Sequence, residues 1–414
     1  MMATEAEKAL ITALGAENVR DGQHSDEIGG IRPRLVASVD GTESTAAAMR
    51  VAAEYDLRVV PRGSGSKLEW CGQPDDVDVV LDVSPATGIV EHAAGDLVVH
   101  VKAGTTIADV QYAVGVAGQQ LAIDQPLSLA TAGGVIATAT SGPCRYSYGG
   151  VRDLLIGITV VRADGTVTTS GGKVVKNVAG YDLGKIYTGS FGTLGVITEA
   201  IFRLHPLPDE NRWISLTVAD IPSATEGVDL IRHSQAMPAA IEVDDADGSI
   251  TVCAQLSGRP NATHARAVEL AAALGEHAEV LERAPEWWGG YPFDQGGIGL
   301  RIGVAPAKLA DALAAVRDAA SGAGVSPTVR GAAGLGVLHV ALPGKTEPGT
   351  LAGFVATLRE RCEYAVLVNG PKPAVDTVDV WGQIEPGVLN LMRRTKDQFD
   401  PEHRLAPGRF VGGI

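Results

Sequence analysis

Residues 61–70 read "PRGSGSKLEW". Four small residues, Gly63, Ser64, Gly65 and Ser66, sit behind a proline and an arginine. They follow directly on the strand-like stretch "LRVV" at 57–60. A strand that empties into a loop with so little side chain lets backbone approach something closely. The remainder of the chain indicates what that something is.

The 414 residues allow two or three domains. A hydrophobic content of 45% is that of a globular protein with a full core. The 51 glycines are the outlier, well above the average of about 7%. They lie inside apolar segments rather than in a linker or a Gly-X-Y repeat, so they indicate tight turns. The formal net charge is −15 and there is no long basic run, which argues against a nucleic-acid partner. The opening "MMATEAEKAL" carries acids where a signal peptide carries a basic region. No apolar run reaches transmembrane length. The expected location is cytoplasmic, with membrane association only through partners and no direct insertion. Cys71, Cys144, Cys253 and Cys362 are far apart and form no C-x-x-C, so neither a zinc site nor an iron–sulfur cluster is expected on this chain alone.

"TEAEKALITALGA" has the pattern of a helix, and strands dominate from about residue 40 to 207. "DVDVVLDVS" and "DLVVHVKAG" alternate as half-buried strands do. "LLIGITVVRADGTVTTSGG" reads as a hairpin turning at Ala163-Asp164-Gly165. Thr106 with Asp109 forms an N-terminal capping pattern for a helix that Gly118 ends. "RLHPLPDENRW" then interrupts the pattern, and a domain boundary is placed there. Beyond it, strand, helix, hairpin, helix and strand occur in an order that largely repeats. That order suggests two ferredoxin-like halves sharing one antiparallel sheet. The expected domains are 1–207, 208–387 as a cap, and a tail 388–414 that returns to the first.

Several common sites are missing. "GSGSK" and "SGGKVV" lack P-loop spacing, and no G-x-G-x-x-G joins a strand to a helix. There is no H-E-x-x-H and no G-x-S-x-G. What remains is a set of small-residue segments in one domain: "PRGSGSKL", "ATAGGVIATATSG", "KNVAGYDL" and "TGSFGTLGVITEA". Taken singly, each reads as a turn.

In this order, with "EHAAGDL" at 91–97 and "FDP" and "PGR" in the tail, they resemble the FAD-binding domain of the vanillyl-alcohol oxidase and p-cresol methylhydroxylase (PCMH) superfamily. Within it the resemblance is to the FAD-binding subunits of bacterial glycolate oxidases, over residues 38–207 and the tail. It implies an α+β chain: a PCMH-type FAD-binding domain followed by a ferredoxin-like cap. It implies that the loop of Arg62, Gly63, Ser64, Gly65 and Ser66 wraps the FAD pyrophosphate, with successive N–H groups forming an anion nest. Thr131, Gly133, Gly134, Thr138, Ser141 and Gly142 are expected along the ribityl chain and flavin edge. Gly180, Tyr181 and Asp182 are expected near the ring, and Ile197 at the adenine. The loop lacks the histidine that some relatives bond to flavin, so dissociable FAD is expected.

The chain departs from catalytic relatives, which carry H-x-G-D-G-N-x-H in the cap for a divalent metal. The matching stretch here is "AAGLGVLH", residues 332–339. Ala332, Leu335 and Val337 replace the first His, the Asp and the Asn, and only His339 remains. Ala406 stands where many relatives have Asn. No metal site is expected, and no catalytic base is assigned. Arg145, Tyr146, Tyr148 and His339 qualify by residue type alone, and Trp381 as a cover for a flavin face. The implied function is a non-covalent FAD subunit of a glycolate or D-2-hydroxy-acid dehydrogenase complex. Its implied partners are a larger catalytic flavin subunit and an iron–sulfur subunit. The alternatives are a stand-alone FAD oxidase of another hydroxy acid or alcohol, and a non-catalytic structural flavoprotein subunit.

Overall fold

A computed structural model describes residues 2–173, 181–294 and 296–414. It divides into two compact units, one of residues 1–141, 150–207 and 383–414, the other of residues 142–149 and 208–382.

The first unit is built on two sheets. One holds Val19–Asp21, Leu35–Ser38, Val79–Asp82 and Val59–Arg62 in that spatial order, the last three parallel. The other is antiparallel and runs Ile89–Ala93, Val98–Lys102, Val196–Arg203, Leu155–Val161, Val167–Gly171. The expected hairpin is present, with Gly165 at φ 81° in its turn. The capped helix is Ile107–Gly115, where the Thr106 hydroxyl accepts from the Asp109 N–H.

A second helix, Thr42–Glu54, is one the sequence pattern did not suggest. Its alanine-rich "TESTAAAMRVAAE" has high helix propensity but a weak apolar stripe. Ala46, Ala48, Met49 and Ala52 nevertheless bury it in one core with Val59 and Val79 of the first sheet and Val161 and Val196 of the second. Alanine lets both sheets approach the helix closely.

The tail is fixed on this unit by backbone and by charge. Val59 donates to the Arg404 carbonyl at 2.8 Å, and Ala406 donates to the Val59 carbonyl at 2.9 Å. Lys396, in the helix Pro386–Phe399, is wholly buried. Its ammonium donates to the carbonyls of Thr193 (2.8 Å) and Leu405 (2.9 Å) and to Asp400 (2.7 Å). Asp400, also fully buried, accepts from the N–H groups of Arg404 and Leu405.

The second unit bears out the ferredoxin-like expectation. Its strands, in chain order, are Glu210–Val218, Ala240–Ala246, Ser249–Gly258, Ala278–Leu281, Ile298–Gly303, Thr328–Ala332, Val337–Leu342 and Tyr364–Asn369. In the eight-stranded sheet they lie fourth, first, third, second, sixth, seventh, fifth, eighth, all antiparallel. The two halves therefore join edge to edge through the second strand of each. The hairpin at Asp247 and Gly248 has positive φ at both positions, the mirror-type turn that suits strand twist. Ile214, Val252, Leu300 and Val340 share one core with Val228, Leu313, Val316 and Phe354 of the helices. Because successive side chains alternate, Trp213, Cys253, Arg301 and His339 fall on the other face.

Candidate functional site

The loop that opened the sequence reading forms one wall of a cleft within the first unit. Arg62, Gly63, Ser64, Gly65, Ser66 and Lys67 line it together with Thr131, Gly133, Gly134, Thr138, Phe191, Gly192, Ile197 and Arg409. The helix Ala132–Thr138 arises here despite its two glycines because Thr131 caps it, accepting from the Gly134 N–H at 3.3 Å. A Cβ on Gly133 would lie 2.9 Å from that of Ala103, and one on Gly63 would lie 2.5 Å from the Thr131 hydroxyl. Gly65 has φ +76°, a backbone state that glycine adopts most readily. The two glycines thus act differently: Gly63 clears space and Gly65 permits a turn. Among the described residues, the N–H groups of Ser64, Gly65 and Ser66 donate to no protein acceptor.

The guanidinium of Arg62 is committed elsewhere. It bonds Asp26 at 2.8 Å and Asp82 at 3.0 Å. Asp26 also bonds Arg20 at 2.6 Å, and these hydrogen bonds hold its carboxyl well below the usual range against the opposing effect of burial. Arg62 therefore braces the loop from behind.

Two other cations face the cleft, and sequence reasoning did not single them out as site residues. Lys67 is 6% exposed and, among the described residues, its ammonium has no hydrogen-bond partner; the Trp70 ring lies 6.0 Å away. Burial pushes Lys67 down to about 8. Arg409 is 4% exposed and donates to the carbonyls of Lys67 (3.2 Å) and Leu68 (2.7 Å), while its Nε has no partner among the described residues. Buried unpaired donors are costly, and a ligand with several anionic oxygens supplies the acceptors they lack. The signal for Lys67 was in the quoted loop itself. Arg409 reaches the cleft only because the tail folds back.

Ten of the fifteen residues expected at the cofactor line this cleft: Arg62, Gly63, Ser64, Gly65, Ser66, Thr131, Gly133, Gly134, Thr138 and Ile197. Ser141 lies in the first unit without lining it, and Gly142 falls in the second unit. Tyr181 is 92% exposed, and Asp182 is exposed beside Lys185. Gly180 lies outside the described residues, as does most of "KNVAGYDL". In the second unit the Tyr146 ring packs on Gly334, and Trp381 packs against the core. Among the described residues no group of three or more His, Cys, Asp or Glu could hold a metal, and no helix is long and apolar enough to cross a membrane.

Residues 33–171 match the FAD binding domain family. The chain is 31% identical over 256 residues to glycolate oxidase subunit GlcD of Bacillus subtilis, covering 59% of this chain and 54% of that protein. It is 38% identical over 152 residues to glycolate oxidase subunit GlcE of Escherichia coli, covering 36% and 43%. The chain spans about half the length of the curated relatives it matches. The crystal structure of p-cresol methylhydroxylase with substrate bound superposes with a TM-score of 0.77 at 16% identity, over 99% of this chain and 96% of that one. The chain shares its fold with p-cresol methylhydroxylase, and residues 33–171, in which the loop and most of the cleft lie, match an FAD binding domain. The unpaired N–H groups, the glycine clearances, the unpartnered Lys67 ammonium and the free Nε of Arg409 fit that cofactor.

The state of Lys67 sets a pH dependence. Burial alone depresses its pKa, and a diphosphate bound beside it would raise it again, so FAD binding there would take up a proton between the two values. FAD affinity should be flat below about pH 8 and fall as pH rises beyond it. Fluorescence titration of FAD from pH 6 to pH 10 (roughly two units either side) tests this. A Lys67→Met variant should bind more weakly and show a flatter profile; an equal slope in both would remove Lys67 from the phosphate site.

Proposed function

We propose that this chain is a non-covalent FAD-binding subunit of a heteromeric 2-hydroxy-acid dehydrogenase of the glycolate oxidase type. The observation that carries the cofactor part is the histidine-free loop, with three unpaired N–H groups, set beside Lys67 and Arg409. The named functions of the two glycolate oxidase relatives support the substrate class and the assembly.

In this reading the backbone of Gly63, Ser64, Gly65 and Ser66 cradles the pyrophosphate, and Lys67 and Arg409 neutralise it. Thr131, Gly133, Gly134 and Thr138 border the ribityl chain, and Ile197 the adenine. FAD, when bound, supplies the two-electron acceptor. The chain's own residues hold the anionic part of the cofactor in a site with little water, where each charge-assisted bond is strong. Ala332, Leu335 and Val337 provide no metal-ligating side chain in the cap. Turnover is therefore assigned to the assembly, with a catalytic flavin subunit and an iron–sulfur subunit as partners.

Acid precipitation of the purified protein should release all yellow chromophore into the supernatant. Flavin retained in the pellet would refute the non-covalent reading, and failure to take up added FAD would remove the cofactor. Mixed anaerobically with glycolate or D-lactate, the FAD-loaded single chain should bleach slowly, and activity should appear with co-purified partners. Sustained turnover by this chain alone, at about 1 per second or faster, would favour an independent oxidase instead.

A further inference from the structure

The second unit contains a cation that the proposed FAD site does not use. On the strand Ile298–Gly303 the positions facing away from the helices are Gly299, Arg301 and Gly303. A Cβ on Gly299 would lie 2.4 Å from the Phe293 ring, and one on Gly303 would lie 2.1 Å from the Tyr364 ring. The two glycines are notches into which these rings settle, one on either side of Arg301. The Arg301 guanidinium carbon lies 5.9 Å from the Tyr364 ring centroid. The third side is the neighbouring strand, where His339 pairs with Arg301 in register. Tyr291 meets His339 edge-on at 5.0 Å and stacks on Phe293 at 5.3 Å.

Arg301 is half-buried in this aromatic frame. Among the described residues its guanidinium makes no salt bridge and no hydrogen bond, and its Nε is inaccessible to solvent and unpaired. Arg330, on the other side of His339, is the contrast. It bonds Asp244 at 2.7 Å, donates to the Tyr291 carbonyl at 3.3 Å, and lies 5.8 Å from the Trp287 ring. One arginine of the pair is structurally satisfied and the other is not. Burial, with Arg301 beside it, holds His339 down to about 3. Its imidazole is therefore neutral at pH 7 and leaves Arg301 as the fixed positive charge of the pair.

We propose that this face of the second unit is a seat for a small monocarboxylate, with Arg301 as its donor and His339 as the neutral polar neighbour. A planar guanidinium matches a carboxylate through two parallel hydrogen bonds, a fit that a tetrahedral anion shares less well. The flanking rings exclude water and accommodate an apolar body beside the charge. The seat lies wholly in the second unit and does not depend on the FAD reading.

The test uses the full chain, both FAD-loaded and flavin-free, in a ligand-observed NMR titration with acetate and benzoate. Inorganic phosphate serves as competitor. Both carboxylates should bind, and phosphate should displace neither at equal concentration. Arg301→Gln should weaken binding roughly tenfold or more, the scale of a lost charge-assisted bond. Arg301→Lys, which keeps the charge without the fork, should fall between and covers the case in which Arg301→Gln does not fold. Absence of carboxylate binding to the wild type, equal affinity in the Arg301 variants, or displacement by phosphate would overturn the proposal. Flavin absorbance, read in the same samples, reports separately on the FAD site.

Discussion

Replacing Lys396 with methionine should destabilise the protein by about 3–5 kcal/mol, the cost of breaking a buried ion pair from one side. Three acceptors depend on this ammonium: the carbonyls of Thr193 and Leu405 and the carboxylate of Asp400, all within 2.9 Å. Lysine and aspartate are both 0% exposed, so the remaining carboxylate would have neither a counter-charge nor water. The loss should appear as a lower urea midpoint and a fall in Tm on the order of 10 °C. The Lys396→Met, Asp400→Asn double variant should recover part of the loss. Asparagine can still accept from the Leu405 N–H without burying a charge. A change below about 1 kcal/mol in the single variant would show that the pair is dispensable. The effect should extend to the cofactor, because Thr193 follows directly on Phe191 and Gly192 in the cleft wall. FAD affinity should therefore fall with stability.

The legibility of this protein followed the range of its signals. The loop at 61–70, the Ala163-Asp164-Gly165 hairpin and the Thr106 cap are local, and each appears where residue chemistry placed it. The order of strands and helices in the second unit was readable because the pattern occurs twice. The helix Thr42–Glu54 was not, because alanine buries without producing a strong apolar stripe. Arg62 shows a different limit. A loop arginine beside an expected phosphate site suggests an anion contact, yet Asp26 and Asp82 hold it. Such carboxylates come from distant strands and loops, and nothing local announces them. The same holds for Arg409, which needs the tail's return, and for the register of Arg301 with His339. The cleft's glycines were legible as a class; the charges that face the cleft were set by tertiary pairing.

Substituting Gly63 with valine should abolish measurable FAD binding while leaving the fold in place. The Cβ alone would sit 2.5 Å from the Thr131 hydroxyl, 3.3 Å from its methyl and 3.4 Å from its Cβ. Thr131 cannot give way freely, since its hydroxyl caps the Ala132–Thr138 helix whose residues line the same cleft. Either the loop moves away and carries its N–H groups off the phosphate position, or the cap breaks and the opposite wall shifts. Both outcomes misplace donors that must converge on one anion. A loss of roughly 100-fold or more in affinity corresponds to about 2.7 kcal/mol or more, the contribution of one to two charge-assisted bonds. Gly65 is the informative contrast. A Cβ there meets only the Arg62 side chain, at 3.7 Å, so the space is open, but φ of +76° opposes any branched residue. Gly65→Ala should therefore weaken FAD by a smaller factor, through backbone strain of about 1–2 kcal/mol. Fluorescence titration of FAD, with circular dichroism as the fold control, measures both. If Gly63→Val proves unstable, Gly63→Ala carries the same clash with less bulk. Wild-type affinity in a folded Gly63 variant would place the pyrophosphate elsewhere.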